Sequence, residues 1–264
     1  LELDVLDVLR QRGAKGAVPY LWRLTTADQP DDVRRAATRV LADFLGLDPT
    51  DLPPVKVALT REAERYYEHK VLFADPNAVV VWRWDPAVKN VVRGWPGAEA
   101  VTKDQAEEYY GMRFAKEALA LDPAYAPAQT VLLSLTLEKG AIKAGAAPGQ
   151  EAPAVRELLG SVNPELITAV LERALDERRT AVILPAVRAL GEMNDVRADR
   201  PGAHGEPALV RALNYPDRRV QMAAADALVR IPGTPAPQTA GRIVEVWRRA
   251  VAAAPLPSLP PRVG

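Results

Sequence analysis

The clearest hydrophobic pattern in the chain lies between residues 205 and 232, GEPALVRALNYPDRRVQMAAADALVRIP. Leu209 and Leu213 are apolar at helical spacing, Asn214-Tyr215-Pro216-Asp217 interrupts the period, and Val220, Ala223, Ala224, Ala227, Leu228 and Ile231 resume it. Apolar positions at 3.6-residue spacing on both sides of a breaker predict a helical hairpin. Pro216 cannot continue the first helix, and Asp217 is placed to cap the N–H groups of the second. The alanines on the second helix let another helix approach closely, as stacked hairpins require.

Moved back by 38 residues, the unit superposes Leu171, Leu175, Val182, Ala186, Ala189 and Leu190 on Leu209, Leu213, Val220, Ala224, Ala227 and Leu228. The frame occurs a third time in AVPYLWRLTTADQPDDVRRAATRVLADFLG, with Pro19 and Leu21 on a first helix and Val33, Ala36, Ala37 and Leu41 on a second. An ordinary helical bundle is the alternative, but self-similarity at a fixed period favours a solenoid. The three hairpins resemble HEAT repeats, at a spacing slightly under the usual ~40–47 residues. In that family a proline often bends the first helix, matched here by Pro19 and Pro207. An Asp before the second helix and an Arg just after its Val form a ladder along the stack. Asp28 and Arg34 match that pair, whereas the other two hairpins carry Glu177 with Ile183 and Tyr215 with Gln221. The resemblance covers roughly two fifths of the chain and implies a mainly α fold, an α-solenoid of stacked helical hairpins.

The β signal interrupts this theme. Residues 79–84 are β-branched and aromatic, Asp85-Pro86 is a turn signal, and 88–92 is a second β-rich run, which predicts one inserted β-hairpin around residues 79–93. Strand alternation sets Val80, Trp82 and Trp84 on one face and Val79, Val81 and Arg83 on the other. A lone two-stranded hairpin is marginal in water, so this one must pack on the helices or on a partner.

Elsewhere the period is helical. Residues 2–12 carry Leu3, Leu6 and Leu9 on one stripe, Asp48-Pro49-Thr50-Asp51-Leu52-Pro53-Pro54 is a stiff connector, and 60–73 reads as a helix whose Tyr66 and Tyr67 divide between core and surface. Helices follow at 103–121 and 127–143. Between them Ala118-Leu119-Ala120-Leu121-Asp122-Pro123, with Tyr125 and Ala128, resembles the junction of two tetratricopeptide repeats; the upstream Trp, Leu and Gly positions of that motif fall in 92–105 and do not match. GAAPGQEAP at 145–153 marks an internal boundary. A short helix at 154–159 and the start of the second HEAT-like hairpin at Asn163-Pro164 come next, then a loop at 194–205. A last helix at 238–253 has Ile243, Val246, Trp247 and Val251 on one face. The expected organisation is an N-terminal hairpin (1–47), a middle segment (48–144), C-terminal repeats (154–254) and a proline-rich tail (255–264). The opening at Leu1 and the ending APLPSLPPRVG both read as cut from something longer.

Composition narrows the function classes. Lys plus Arg and Asp plus Glu number 34 each, so a polyanion-binding surface would need local segregation of charge. There is no Cys, which removes disulfides, thiolate nucleophiles and Cys-ligated zinc and leaves the compartment open. No apolar run reaches the ~20 residues of a membrane span. The two histidines and three serines form no local catalytic motif. His69 lies beside Glu68 with Glu64 one turn back but lacks a third ligand for a metal, and His204 sits in a Gly-rich loop. Glu107 with Glu108 and Asp31 with Asp32 are adjacent pairs that point in different directions on a helix. No catalytic, cofactor-binding or metal-binding residue is assigned, and no cofactor is expected.

The expected function is a non-enzymatic protein–protein interaction scaffold, its contacts at Trp82, Arg83, Trp84 and Trp95, since tryptophans are enriched at interface hot spots. The bland alternative is that these side chains fix the hairpin to the helices. HEAT-like and tetratricopeptide-like arrays combined this way look like the solenoid portions of membrane-coat-type proteins, which often follow a β-propeller. The resemblance implies protein partners or other domains of the same chain, and leaves peripheral membrane association open. Some HEAT-like proteins are DNA glycosylases with basic concave surfaces, and Arg34-Arg35-Arg39, Arg178-Arg179, Arg218-Arg219 and Arg248-Arg249 would supply such a stripe. Zero net charge instead favours their pairing with neighbouring acids, and the placed acid of a base-flipping enzyme is not identifiable. A third class, a small-ligand carrier, would need a deep apolar pocket.

Overall fold

The computed structural model describes residues 2–85, 87–95, 97–143, 162–202, 205–233 and 235–253. Among these, eleven α-helices and one two-stranded antiparallel sheet make the chain mainly α with a single β-hairpin, as the periodicity predicts. The chain divides into two compact units, Leu1–Leu135 and Thr136–Gly264.

The first unit holds α1 (Glu2–Gln11), α2 (Val18–Leu21), α3 (Asp31–Leu45), α4 (Val55–Tyr67), β1 (Trp82–Asp85), β2 (Asn90–Arg93), α5 (Lys103–Leu121) and the start of α6 (Ala126–Lys143). Its core joins Leu21, Trp22, Ala37, Leu41, Leu59, Tyr67 and Phe114, with α4 packed along α5 and α3 against α1. The start of α5 is fixed by a capping box, in which Thr102 accepts from the Gln105 N–H and the Gln105 side chain returns to the Thr102 N–H, satisfying two N-terminal donors at once.

The helix expected at 60–73 runs from Val55 to Tyr67. Pro54 is the residue before its first turn, where a missing N–H costs nothing, so the helix starts straight after the connector. It ends because His69 adopts φ +57° while the Lys70 N–H reaches back to the Arg65 carbonyl at 2.9 Å, a left-handed helix stop. Tyr66 and Tyr67 are both buried. The first helix of the N-terminal hairpin is a single turn with Pro19 at its start, followed by a 3₁₀ turn at Trp22–Thr25, so Pro19 opens it and bends nothing. Asp28 and Arg34 do not pair: Asp28 accepts from Arg23 and Thr26, and Arg34 donates to Asp31 at 2.5 Å.

The second unit contains α7 (Pro164–Asp176), α8 (Thr180–Met193), α9 (Ala208–Leu213), α10 (Arg218–Arg230) and α11 (Pro237–Ala253). Asn163 accepts from the Leu166 N–H and Asp217 from the Arg219 N–H, the latter the cap expected from sequence. Helices α7 and α8 pair, as do α9 and α10; α8 also packs on α10 and α7 on α9. All twelve positions superposed by the 38-residue shift are buried, so the repeat in sequence is a repeat in core-facing positions. Two polar links join the hairpins: Arg211 to Asp176 at 2.5 Å and the Thr180 hydroxyl to the Tyr215 hydroxyl at 3.1 Å. At Gly191 a Cβ would come within 2.8 Å of the Ala227 Cβ, so glycine there is what permits the close approach of α8 and α10. Pro207 precedes α9 as its cap, whereas Pro185 lies inside α8. On α11 Ile243 and Val246 are buried, but Val251 is exposed, so the apolar stripe ends before the last turn. The 145–153 boundary, the 154–159 helix, His204 and the proline-rich tail lie outside the described residues.

Candidate functional site

The β-hairpin is shorter than its sequence signal. Val79 leaves it to form a bridge with Val101, their N–H and C=O groups exchanging bonds of 2.8 and 2.9 Å, which ties the strand entrance to the start of α5. The paired strands are Trp82–Asp85 and Asn90–Arg93. Asp85 organises the turn by accepting from the Ala87 N–H at 3.0 Å. That bond first, and then the Arg83 guanidinium 3.0 Å away, hold its carboxyl below the usual range. After β2, Gly94 takes φ +88°, and a Cβ there would lie 2.7 Å from the Ala98 carbonyl oxygen. Only glycine fits this turn, which swings Trp95 into its bridge with Ala98.

The register sets Trp82 opposite Arg93 and Trp84 opposite Val91. Directly opposed residues share a face, so Trp82, Trp84, Val91 and Arg93 form one outward surface. Trp82 is 54% exposed, Trp84 61% and Val91 52%, while Val79 and Val81 beneath them are buried. The valines anchor the hairpin and the tryptophans do not. Arg83 occupies the inner face, its side chain paired to Asp85, so it does not accompany Trp82 and Trp84 outward. Arg93 takes that place, a residue left outside the second strand by the sequence reading; the register would have found it.

Trp95 remains 42% exposed and meets Tyr109 of α5 edge-on at 5.5 Å. The Tyr109 hydroxyl donates to the Trp82 carbonyl at 3.4 Å, so one side chain touches both ends of the hairpin. From Tyr109 ring contacts continue inward, to Tyr110 at 5.1 Å, from Tyr110 to Tyr66 at 5.6 Å, and from Tyr66 to Phe114 at 5.9 Å. Tyr20 closes this aromatic layer against Phe114 at 5.7 Å, beneath the guanidinium of Arg113. Burial is the main cause that pushes the Tyr66 phenol up to about 12, and it raises Tyr20 as well. Tyr109 was not singled out from sequence, because nothing local announces a contact across 27 residues.

The remaining sequence candidates separate. His69 lies past the end of α4 with its Nδ1 2.6 Å from Oε2 of Glu107, a carboxylate 1% exposed that also has the Lys103 ammonium 3.6 Å from Oε1. His69 therefore links the end of α4 to α5, and Glu107 is the inward member of the Glu107–Glu108 pair. Among the described residues no group of three or more His, Asp and Glu side chains is placed to hold a metal ion, and no helix is long and apolar enough to cross a membrane. Of the arginine clusters, Arg34 pairs with Asp31, Arg179 with Glu138 and Glu177, Arg219 with Asp217 and Arg249 with Glu245. No protein-family model matches the chain, and no curated protein or solved structure matches it.

Proposed function

We propose that the chain is a non-enzymatic interaction scaffold, with the outward face of the β-hairpin as a protein-docking surface. The observation that supports this reading is the division of labour within the hairpin: Val79 and Val81 are buried while Trp82 and Trp84 stand more than half exposed beside Val91. A hairpin held by its valines has no structural need of two outward tryptophans, and aromatic side chains backed by a rigid support are the residues that dominate binding energy at interfaces. The support is Tyr109, which holds the Trp82 backbone and packs on Trp95.

The helical hairpins belong to this reading as a HEAT-like α-solenoid, supported by the shared burial of the superposed positions in α7–α8 and α9–α10. The mixed array is of the kind seen in membrane-coat-type proteins, an analogy of fold that carries little about function. The test is capture of partners by the native chain beside a Trp82→Ala/Trp84→Ala variant whose far-UV circular dichroism and unfolding midpoint are first shown to match. A partner held by the native chain and released by the folded variant supports the docking surface. Equal recovery by both, or none by either, rejects it.

A further inference from the structure

A second surface, in the second unit and independent of the hairpin, carries its own binding chemistry. Helices α8 and α10 approach closely where Gly191 faces Ala227, and above that contact opens a groove of about 590 Å³. Gly191, Ala223 and Ala227 contribute small side chains to it and Met222 an apolar one, while four arginines, Arg188, Arg218, Arg219 and Arg230, outnumber the carboxylates of Glu192 and Asp226. The groove is thus positive in a chain of zero net charge.

Neither of the two carboxylates pairs with the arginines at the groove's ends. Asp226 accepts from the Trp247 indole at 3.1 Å, and Arg219 is held by Asp217 beneath it at 2.7 Å. Arg218 and Arg230 lie at opposite ends of α10 and have no hydrogen-bond or ion-pair partner among the described residues. Twelve helical residues at 1.5 Å each separate their backbones by ~18 Å. At ~3.3 Å per residue, an extended segment reaches from Arg218 to Arg230 in about five or six residues.

We propose that this groove binds an extended acidic peptide segment whose two carboxylates, five or six residues apart, are received by Arg218 and Arg230, with small side chains between them over Ala223 and Ala227. Guanidinium groups take carboxylates in a two-pronged geometry, and the apolar middle suits a peptide with short side chains. A nucleic-acid strand fits less well, because its phosphates recur at every nucleotide and would meet Glu192 and Asp226.

The test uses the full chain and four fluorescent probes: a peptide of about seven residues with Glu at its first and sixth positions in an Ala/Ser background, its Gln and Lys counterparts, and a single-stranded oligothymidine. Anisotropy titrations at low salt are run on the native protein, on Arg218→Gln/Arg230→Gln, and on Arg218→Glu/Arg230→Glu with a Lys-for-Glu peptide. Both arginines are exposed, and matching circular dichroism confirms that the variants fold. Binding of the Glu peptide, at least about tenfold weaker for the Gln peptide and for the Gln variant, with the Lys peptide taken up by the Glu variant, is the expected result for charge pairs at both ends of the groove. No binding of the Glu peptide, binding unchanged in the Gln variant, or tighter binding of the oligonucleotide overturns the proposal, the last in favour of a nucleic-acid groove.

Discussion

The Nδ1 of His69 stands 2.6 Å from Oε2 of Glu107, and this contact links the end of α4 to the face of α5 that α4 packs against. A carboxylate with 1% exposure is tolerated only where charge or hydrogen bonds meet it, and here an imidazole and, at 3.6 Å, the Lys103 ammonium do so. Glu107→Ala removes the carboxylate that His69 and Lys103 face, for an expected loss of about 1–3 kcal/mol read from urea unfolding. Glu107→Gln keeps the shape and one acceptor oxygen, and retains part of that stability. Equal losses for both would show that packing, not the charge, is what Glu107 supplies.

Two glycines in the second unit have opposite expectations. Gly191→Ala drives a Cβ to 2.8 Å from the Ala227 Cβ and 2.9 Å from its Cα, atoms fixed to a neighbouring helix that cannot swing aside, so a cost of about 1–3 kcal/mol follows from overpacking. Gly241 lies within α11, and its added Cβ meets nothing within 4 Å. Gly241→Ala is expected to stabilise by roughly 0.4–1 kcal/mol through the unfolded chain. Chemical denaturation of the two variants beside the native protein decides both.

Alkaline titration probes the aromatic layer. Tyr66 rises from 10.0 to about 12, chiefly by burial and then through the neighbouring Tyr110, and Tyr20 rises too. A phenol whose folded value lies above its unfolded one contributes stability that is whole below pH 10 and is lost as pH climbs through the folded value. The first unit is therefore expected to lose stability between pH 10 and about 12, with a late phenolate absorbance step. Tyr66→Phe removes its own share of that step and flattens the loss over the same window; a profile unchanged by the substitution counts against Tyr66 as its source.

On the hairpin, the buried and the exposed face should respond differently. Trp82→Ala/Trp84→Ala removes side chains that are 54% and 61% exposed and is expected to cost no more than the ~0.2–1 kcal/mol of each cross-strand pair. Val81→Ala, at a fully buried position, is expected to cost about 1.5–3 kcal/mol. A reversed order in thermal denaturation would mean that the tryptophans are the anchor after all.

The helices of the second unit were legible from local chemistry, because Asn163, Asp217 and the alternating Leu, Val and Ala positions each act within one turn of themselves. The capping box at Thr102 and Gln105 is legible for the same reason. The α4 boundaries were missed because Pro53-Pro54 was read as an end and not as the opening of a helix, and because the stop at His69 is a backbone conformation rarely taken by a residue with a side chain. Strand alternation separated Trp82 and Trp84 from Val81 correctly. It could not assign Arg93, whose place depends on register, nor Tyr109 and Glu107, whose partners lie 27 and 38 residues away and are brought close only by the packing of α4, α5 and the hairpin.

The sheet of the first unit has two strands and so has no interior strand. Each of β1 and β2 turns one row of backbone donors and acceptors away from its companion, the kind of template on which copies of a protein assemble edge to edge. With four residues per strand, each row is short, and Arg93 and Lys89 add charge near it. Colloidal behaviour thus rests on brevity and charge: lengthening either strand, or neutralising Lys89 and Arg93 while the two indoles stay outward, turns the exposed hairpin face into a nucleus for concentration-dependent aggregation.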